Sequence, residues 1–178
     1  MDLFECRVLV LLVCLSVLHS VLAIGQDSCV SFTPSQSSFT VATGRSVASI
    51  YLSDDEWPGV QRAAADFASD VWKVTNSTPQ LYNSTSQLDP TPQSPPIIIG
   101  TLGKSSLIDA VVNYTRMDVS AISGSWESFM TKVVNNPLPG ISSAYVIIGA
   151  DKRGTIFAMY DLSEQMGVSP WYWYVDRI

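Results

Sequence analysis

Two runs constrain this chain more than any others: Pro96-Ile97-Ile98-Ile99-Gly100 and Ala144-Tyr145-Val146-Ile147-Ile148-Gly149. Each is a continuous apolar stretch rich in β-branched residues that stops at glycine. That pattern belongs to a strand buried on both faces of a sheet, where no side chain has a solvated side to face. A helical pattern follows each run, from about Lys104 to Val112 after the first and from Asp151 to Met166 after the second. In the second helix Thr155, Met159, Leu162 and Met166 share one face, and Gly167 stands where a C-cap favours glycine. Strands and helices therefore alternate, which predicts an α/β fold with a mixed β-sheet flanked by helices.

The remaining elements fit that frame. Phe39-Thr40-Val41 and Val47-Ala48-Ser49-Ile50-Tyr51-Leu52, split by Gly44-Arg45, read as a hairpin. Ser53-Asp54-Asp55-Glu56-Trp57-Pro58 supplies capping side chains, negative charge and an early proline, which predict a helix running to about Val74. Val60, Ala64, Phe67 and Val71 form its core stripe, while Arg62, Asp66, Asp70 and Lys73 fall elsewhere. Residues 76–96 are rich in Ser, Thr, Pro, Asn and Gln and read as a polar surface loop with a short Gln80-Leu81-Tyr82 insert. Residues 126–134 alternate as a strand, and the turn Asn135-Asn136-Pro137-Leu138-Pro139-Gly140 joins it to the second buried run as a hairpin.

The N-terminus reads as a cleaved signal peptide over 1–23: Arg7 precedes an apolar run from Val8 that ends in Val21-Leu22-Ala23. A membrane anchor is the competing reading, but the run is shorter than the roughly 20 apolar residues a bilayer span needs, and polar Gly25-Gln26-Asp27-Ser28 follows it. Cleavage predicts a secreted, extracellular protein with no membrane partner. It also removes Cys6, Cys14 and the one histidine, His19. Without histidine the remaining chain has no Ser-His-Asp triad, no Cys-His dyad and no histidine-based zinc site. No metal or other cofactor is expected. Cys29 is left without an intramolecular partner, so it is either buried or paired with something outside this chain. The formal net charge of −6, with no basic cluster, argues against nucleic acid as a partner. Three sequons place N-glycosylation candidates at Asn76, Asn83 and Asn113.

Candidates for chemistry are few. Asp54-Asp55-Glu56 reads as helix capping rather than a cation site. Asp161 and Glu164 share a face at i,i+3 spacing and could in principle act as a glycosidase carboxylate pair, although solvated helix charges are the commoner explanation. Gly103-Lys104-Ser105 lacks the preceding glycine of a phosphate-binding loop, Ile98 standing in its place. Asp151-Lys152-Arg153-Gly154 reads as a tight turn with Asp151 as N-cap, or else as an anion contact at a helix start. Four consecutive aromatics, Trp171-Tyr172-Trp173-Tyr174, stand just before the final Val175-Asp176-Arg177-Ile178. Either they pack back onto the sheet or a continuing chain buries them. Trp171 and Trp173 are equally candidates for stacking on sugar rings, in which case the chain is a free-standing carbohydrate-binding module.

The run 149–173, from Gly149-Ala150-Asp151-Lys152-Arg153-Gly154-Thr155 through Ser163-Glu164-Gln165-Met166-Gly167-Val168-Ser169-Pro170-Trp171-Tyr172-Trp173, closely resembles the start of glycoside hydrolase family 115, the xylan α-1,2-glucuronidases. Trp126-Glu127-Ser128-Phe129, Asn136-Pro137-Leu138-Pro139-Gly140 and Ile98-Ile99-Gly100-Thr101 agree with it. The resemblance implies an N-terminal α/β accessory domain over 24–168 and, over 169–178, the truncated start of a catalytic (β/α)8 barrel otherwise absent from this chain. It implies that the catalytic carboxylates belong to that missing barrel, so no catalytic residue is expected here. Trp171 and Trp173, at the domain junction, are the residues it leaves as substrate-binding candidates. The implied partners are the missing barrel and, for the parent enzyme, plant cell-wall glucuronoxylan.

Overall fold

The computed structural model describes residues 28–33, 35, 38–44, 46–84, 89, 92 and 94–169. The expected signal segment, Trp171, Trp173 and nearly all of the expected barrel start lie outside the described residues. The first strands among the described residues are an antiparallel pair, β1 (Ala42–Thr43) and β2 (Ser46–Val47). Five strands then form the main sheet: β3 (Ile50–Tyr51), β4 (Leu81–Tyr82), β5 (Ile97–Thr101), β6 (Phe129–Leu138) and β7 (Ile141–Gly149), in the order β4-β3-β5-β7-β6. β4, β3, β5 and β7 run parallel, and β6 closes one edge antiparallel to β7. Helices α1 (Pro58–Thr75), α2 (Ser106–Thr115) and α3 (Lys152–Gln165) follow β3, β5 and β7. The expected mixed sheet flanked by helices is what the chain builds, and no barrel closes among the described residues.

Side-chain parity explains why the apolar runs carry no polar residue. Ile97, Ile99 and Ile147 face one side of the sheet, where α1 and α3 pack together through Val60, Ala64, Phe67, Met159 and Leu162. Ile98, Val146 and Ile148 face the other side, where α2 covers them with Leu107, Ile108 and Val111. Both faces are dry, so Ile97, Ile98 and Ile99 of β5 and Val146, Ile147 and Ile148 of β7 are all β-branched. Every such residue removed from water contributes about 1.5–3 kcal/mol of favourable transfer energy.

Several expectations are corrected in detail. The run 47–52 does not form one strand: Val47 stays in the hairpin while Ile50 and Tyr51 enter the main sheet. Strand β1 starts at Ala42, beyond the Phe39-Thr40-Val41 expected for it. Leu81 and Tyr82, expected as an insert in a surface loop, add a parallel edge strand to β3, with the Tyr82 ring stacked 4.7 Å from that of Tyr51. β6 begins at Phe129 and extends through the expected turn to Leu138. A register irregularity between Asn135 and Leu138, with Asn136 at φ 49°, lets the ladder continue past Pro137. Asp70 is buried rather than solvated and accepts a 2.9 Å bond from Lys73 Nζ.

Candidate functional site

In an open parallel sheet, ligands collect outside the carboxyl ends of the strands, at the point where successive crossovers leave in opposite directions. Here that point lies between β3 and β5. The chain leaves β3 through α1 on one face to reach β4, and leaves β5 through α2 on the other face to reach β6. The crevice is lined by Ser53, Asp55 and Glu56 after β3, by Thr101 at the end of β5 and by Ser105 and Ser106 beyond it.

The protein fills this crevice with its own carboxylates. Glu56 is 4% exposed. Its Oε1 accepts from the Trp57 N–H at 2.9 Å and its Oε2 from the Thr101 N–H at 2.7 Å. Both oxygens of Asp55 accept from the Ser106 N–H at 3.3 Å, and the Ser53 and Ser106 hydroxyls bond at 2.8 Å. Burial pushes the Asp55 carboxyl up, but hydrogen bonds from Ser53 and Ser106 and the nearby Lys104 charge outweigh it and hold the group below its ordinary value. The acidic run therefore does not cap its own helix, as the sequence suggested. Trp57 is the N-cap residue of α1 and makes no side-chain cap, while Asp55 serves the first turn of α2. The helix start that a phosphate would seek already faces a carboxylate. Ser105 caps it through the Ile108 N–H, and the Gly103 N–H is spent on Asp109. This agrees with the rejection of a phosphate-binding loop.

Outside the plugged crevice stands a rim of aromatic and cationic side chains. Trp57 is 44% exposed, with Lys104 Nζ 5.0 Å and Lys152 Nζ 6.0 Å from its ring centroid. Trp126 is 74% exposed. The Arg153 guanidinium lies 5.3 Å from its ring and 5.7 Å from that of Phe157, while Arg153 Nε forms an ion pair with Glu127 Oε1 at 2.7 Å. Asp151 is the N-cap of α3, as expected: Oδ1 accepts from the Gly154 N–H at 2.7 Å, and Oδ2 from the Glu127 N–H at 3.0 Å. Those two backbone donors hold its carboxyl below the ordinary range. One residue thereby ties the start of α3 to the loop that presents Trp126.

The other expected residues scatter. Asn76, Asn83 and Asn113 are all exposed, at the end of α1, just past β4 and on α2. Asp161 accepts from the Gln165 amide at 2.7 Å and Glu164 is exposed, so the two are not assembled into a site. Cys29 is exposed, which sets aside the buried alternative; its Sγ lies 3.9 Å from the Tyr145 hydroxyl. Among the described residues no three His, Cys, Asp or Glu side chains gather to hold a metal. Sequence reasoning missed Trp57, Trp126, Lys104 and Lys152 as a group. Their shared signal is position: each lies within a few residues of a strand end on the same edge of the sheet.

No family model matches the chain, and no curated protein is significantly similar to it. Among solved structures, the chain is similar to a family GH115 4-O-methyl-α-glucuronidase described as having specificity for decorated arabinogalactans, with 27% identity and a TM-score of 0.56. The match covers 72% of this chain and 14% of that one. The fold is thus that of part of a glycosidase chain, and the similarity is one of family level.

Proposed function

We propose that this chain is the N-terminal part of a secreted xylan α-1,2-glucuronidase, an accessory α/β unit that precedes the catalytic barrel and hydrolyses nothing by itself. The observation that carries the reading is the 27% identity to a 4-O-methyl-α-glucuronidase over 72% of this chain, matched to only 14% of that enzyme. In this reading residues 1–23 are a cleaved signal, 24–168 are the accessory unit and 169–178 open the barrel, with Trp171 and Trp173 at its rim. The exposed asparagines 76, 83 and 113 carry glycans. The carboxylates at the carboxyl edge of the sheet suit a supporting role, because Glu56, Asp55 and Asp151 each accept backbone N–H groups of the fold itself.

The test is release of 4-O-methylglucuronic acid from glucuronoxylan, and from a glucuronate-decorated arabinogalactan, by this chain beside a form extended through a GH115 barrel. Activity confined to the extended form is the expected result. Hydrolysis by the short chain would overturn the accessory reading and return attention to Asp161 and Glu164.

A further inference from the structure

We propose that the rim formed by Trp57, Lys104 and Lys152 binds carboxylate-bearing sugar residues of a polysaccharide. Naming a uronate as the carboxylate rests on the glucuronidase reading; the pairing of ring and cations does not. Lys104 comes from the turn after β5 and Lys152 from the first turn of α3 after β7, yet both ammonium groups converge on the ring that follows β3. Among the described residues neither ammonium lies within ion-pair distance of a carboxylate. Of the acids in the flanking loops, Asp55, Glu56, Asp109 and Asp151 are engaged by backbone N–H groups and Glu127 by an ion pair with Arg153; Asp54 is exposed without an ion pair among the described residues, and Lys104 acts on Asp55 only through space. Two like charges drawn to one indole repel each other, and an anion placed between them relieves that repulsion while gaining charge-assisted hydrogen bonds.

The exposed indole supplies the second half of the recognition. Its apolar body packs against the C–H face of a pyranose, and its edges stay wet. A neutral sugar gains the stacking alone, whereas a uronate gains both terms. Phosphate is disfavoured in the crevice beneath, because Asp55 already occupies the helix start that would hold it. The surface therefore fits an acidic polysaccharide lying across the rim, which would tether the chain to decorated polymer without any catalytic role.

The test is affinity electrophoresis of the whole chain in glucuronoxylan and in the same polymer after its uronate carboxyls are reduced to alcohols. Retention by the native polymer and little by the reduced one is expected. The double variant Lys104→Ala/Lys152→Ala should lose roughly two- to thirty-fold in affinity, the span of two exposed ion pairs, with its thermal melt unchanged. Trp57→Ala should weaken retention by both polymers. Equal retention of native and reduced polymer, unchanged retention by the lysine variant, or no retention by the wild type would each overturn the proposal. The release assay on the extended form is scored separately. Activity there without retention here removes this surface and leaves the glucuronidase reading; retention here without activity there removes the reading and leaves an anionic-saccharide surface.

Discussion

Replacing Glu56 by alanine is expected to destabilise the fold by about 2.5–4.5 kcal/mol, a size that follows from where its two oxygens point. Oε2 is the acceptor for the buried Thr101 N–H at the end of β5, and truncation strands that donor at a cost of about 1–3 kcal/mol. The Trp57 N–H lies nearer solvent, where water replaces Oε1, so its loss adds only about 0.5 kcal/mol. The emptied side-chain volume contributes roughly 1 kcal/mol more. For a domain of this size each kcal/mol moves Tm by about 3 °C, so the melt should fall by about 8–14 °C. The assay is urea and thermal unfolding of Glu56→Ala beside Asp54→Ala, whose exposed position predicts a change within about 0.5 kcal/mol. If the acidic run served only to cap α1, the two variants would cost similar amounts. Equal losses, or a Glu56→Ala variant as stable as wild type, would refute the assignment of Glu56 as the tie between β3 and β5.

Two further outcomes test the loop that presents Trp126. A methyl group added at Gly154 would land on the Ser128 carbonyl oxygen, so Gly154→Ala should lower Tm, even though alanine favours a helix over glycine by about 1 kcal/mol; a raised Tm would show that this approach is not tight. Asp151 has a depressed carboxyl pKa in the fold, so its stabilisation is present above the ordinary carboxylate pKa and is lost as pH falls through the folded value. Asp151→Asn keeps an N-cap but loses the charge. It should be slightly less stable than wild type near neutrality, and the gap in urea midpoint should begin to close below about pH 5 and go on closing as pH falls through the depressed folded value; a gap independent of pH would count against the carboxylate contacts.

The elements legible in the sequence were those whose periodicity spans many residues. β5 and β7 announced themselves because both faces of the sheet are covered, and α1 and α3 because their buried stripes recur over several turns. β4 did not, since two residues carry no period and Leu81–Tyr82 is a strand only because β3 offers an edge. The division of residues 47–52 between hairpin and sheet was illegible for the same reason. The capping assignment of Asp55 and Glu56 failed because their partners, Ser106 and Thr101, lie 51 and 45 residues along the chain, beyond any local pattern.

Sequence by itself determined the α/β class, the three helices and the pair of buried strands, because hydrophobic period and glycine placement are local properties that secondary structure must obey. It also carried the resemblance to family 115. Tertiary structure alone decided the strand order, the site of the topological switch and the filling of that crevice by Glu56 and Asp55. It alone brought Trp57, Lys104 and Lys152, from three separate strand ends, to one rim. Those outcomes depend on contacts between residues distant in sequence, which arise only once the strands have chosen their neighbours.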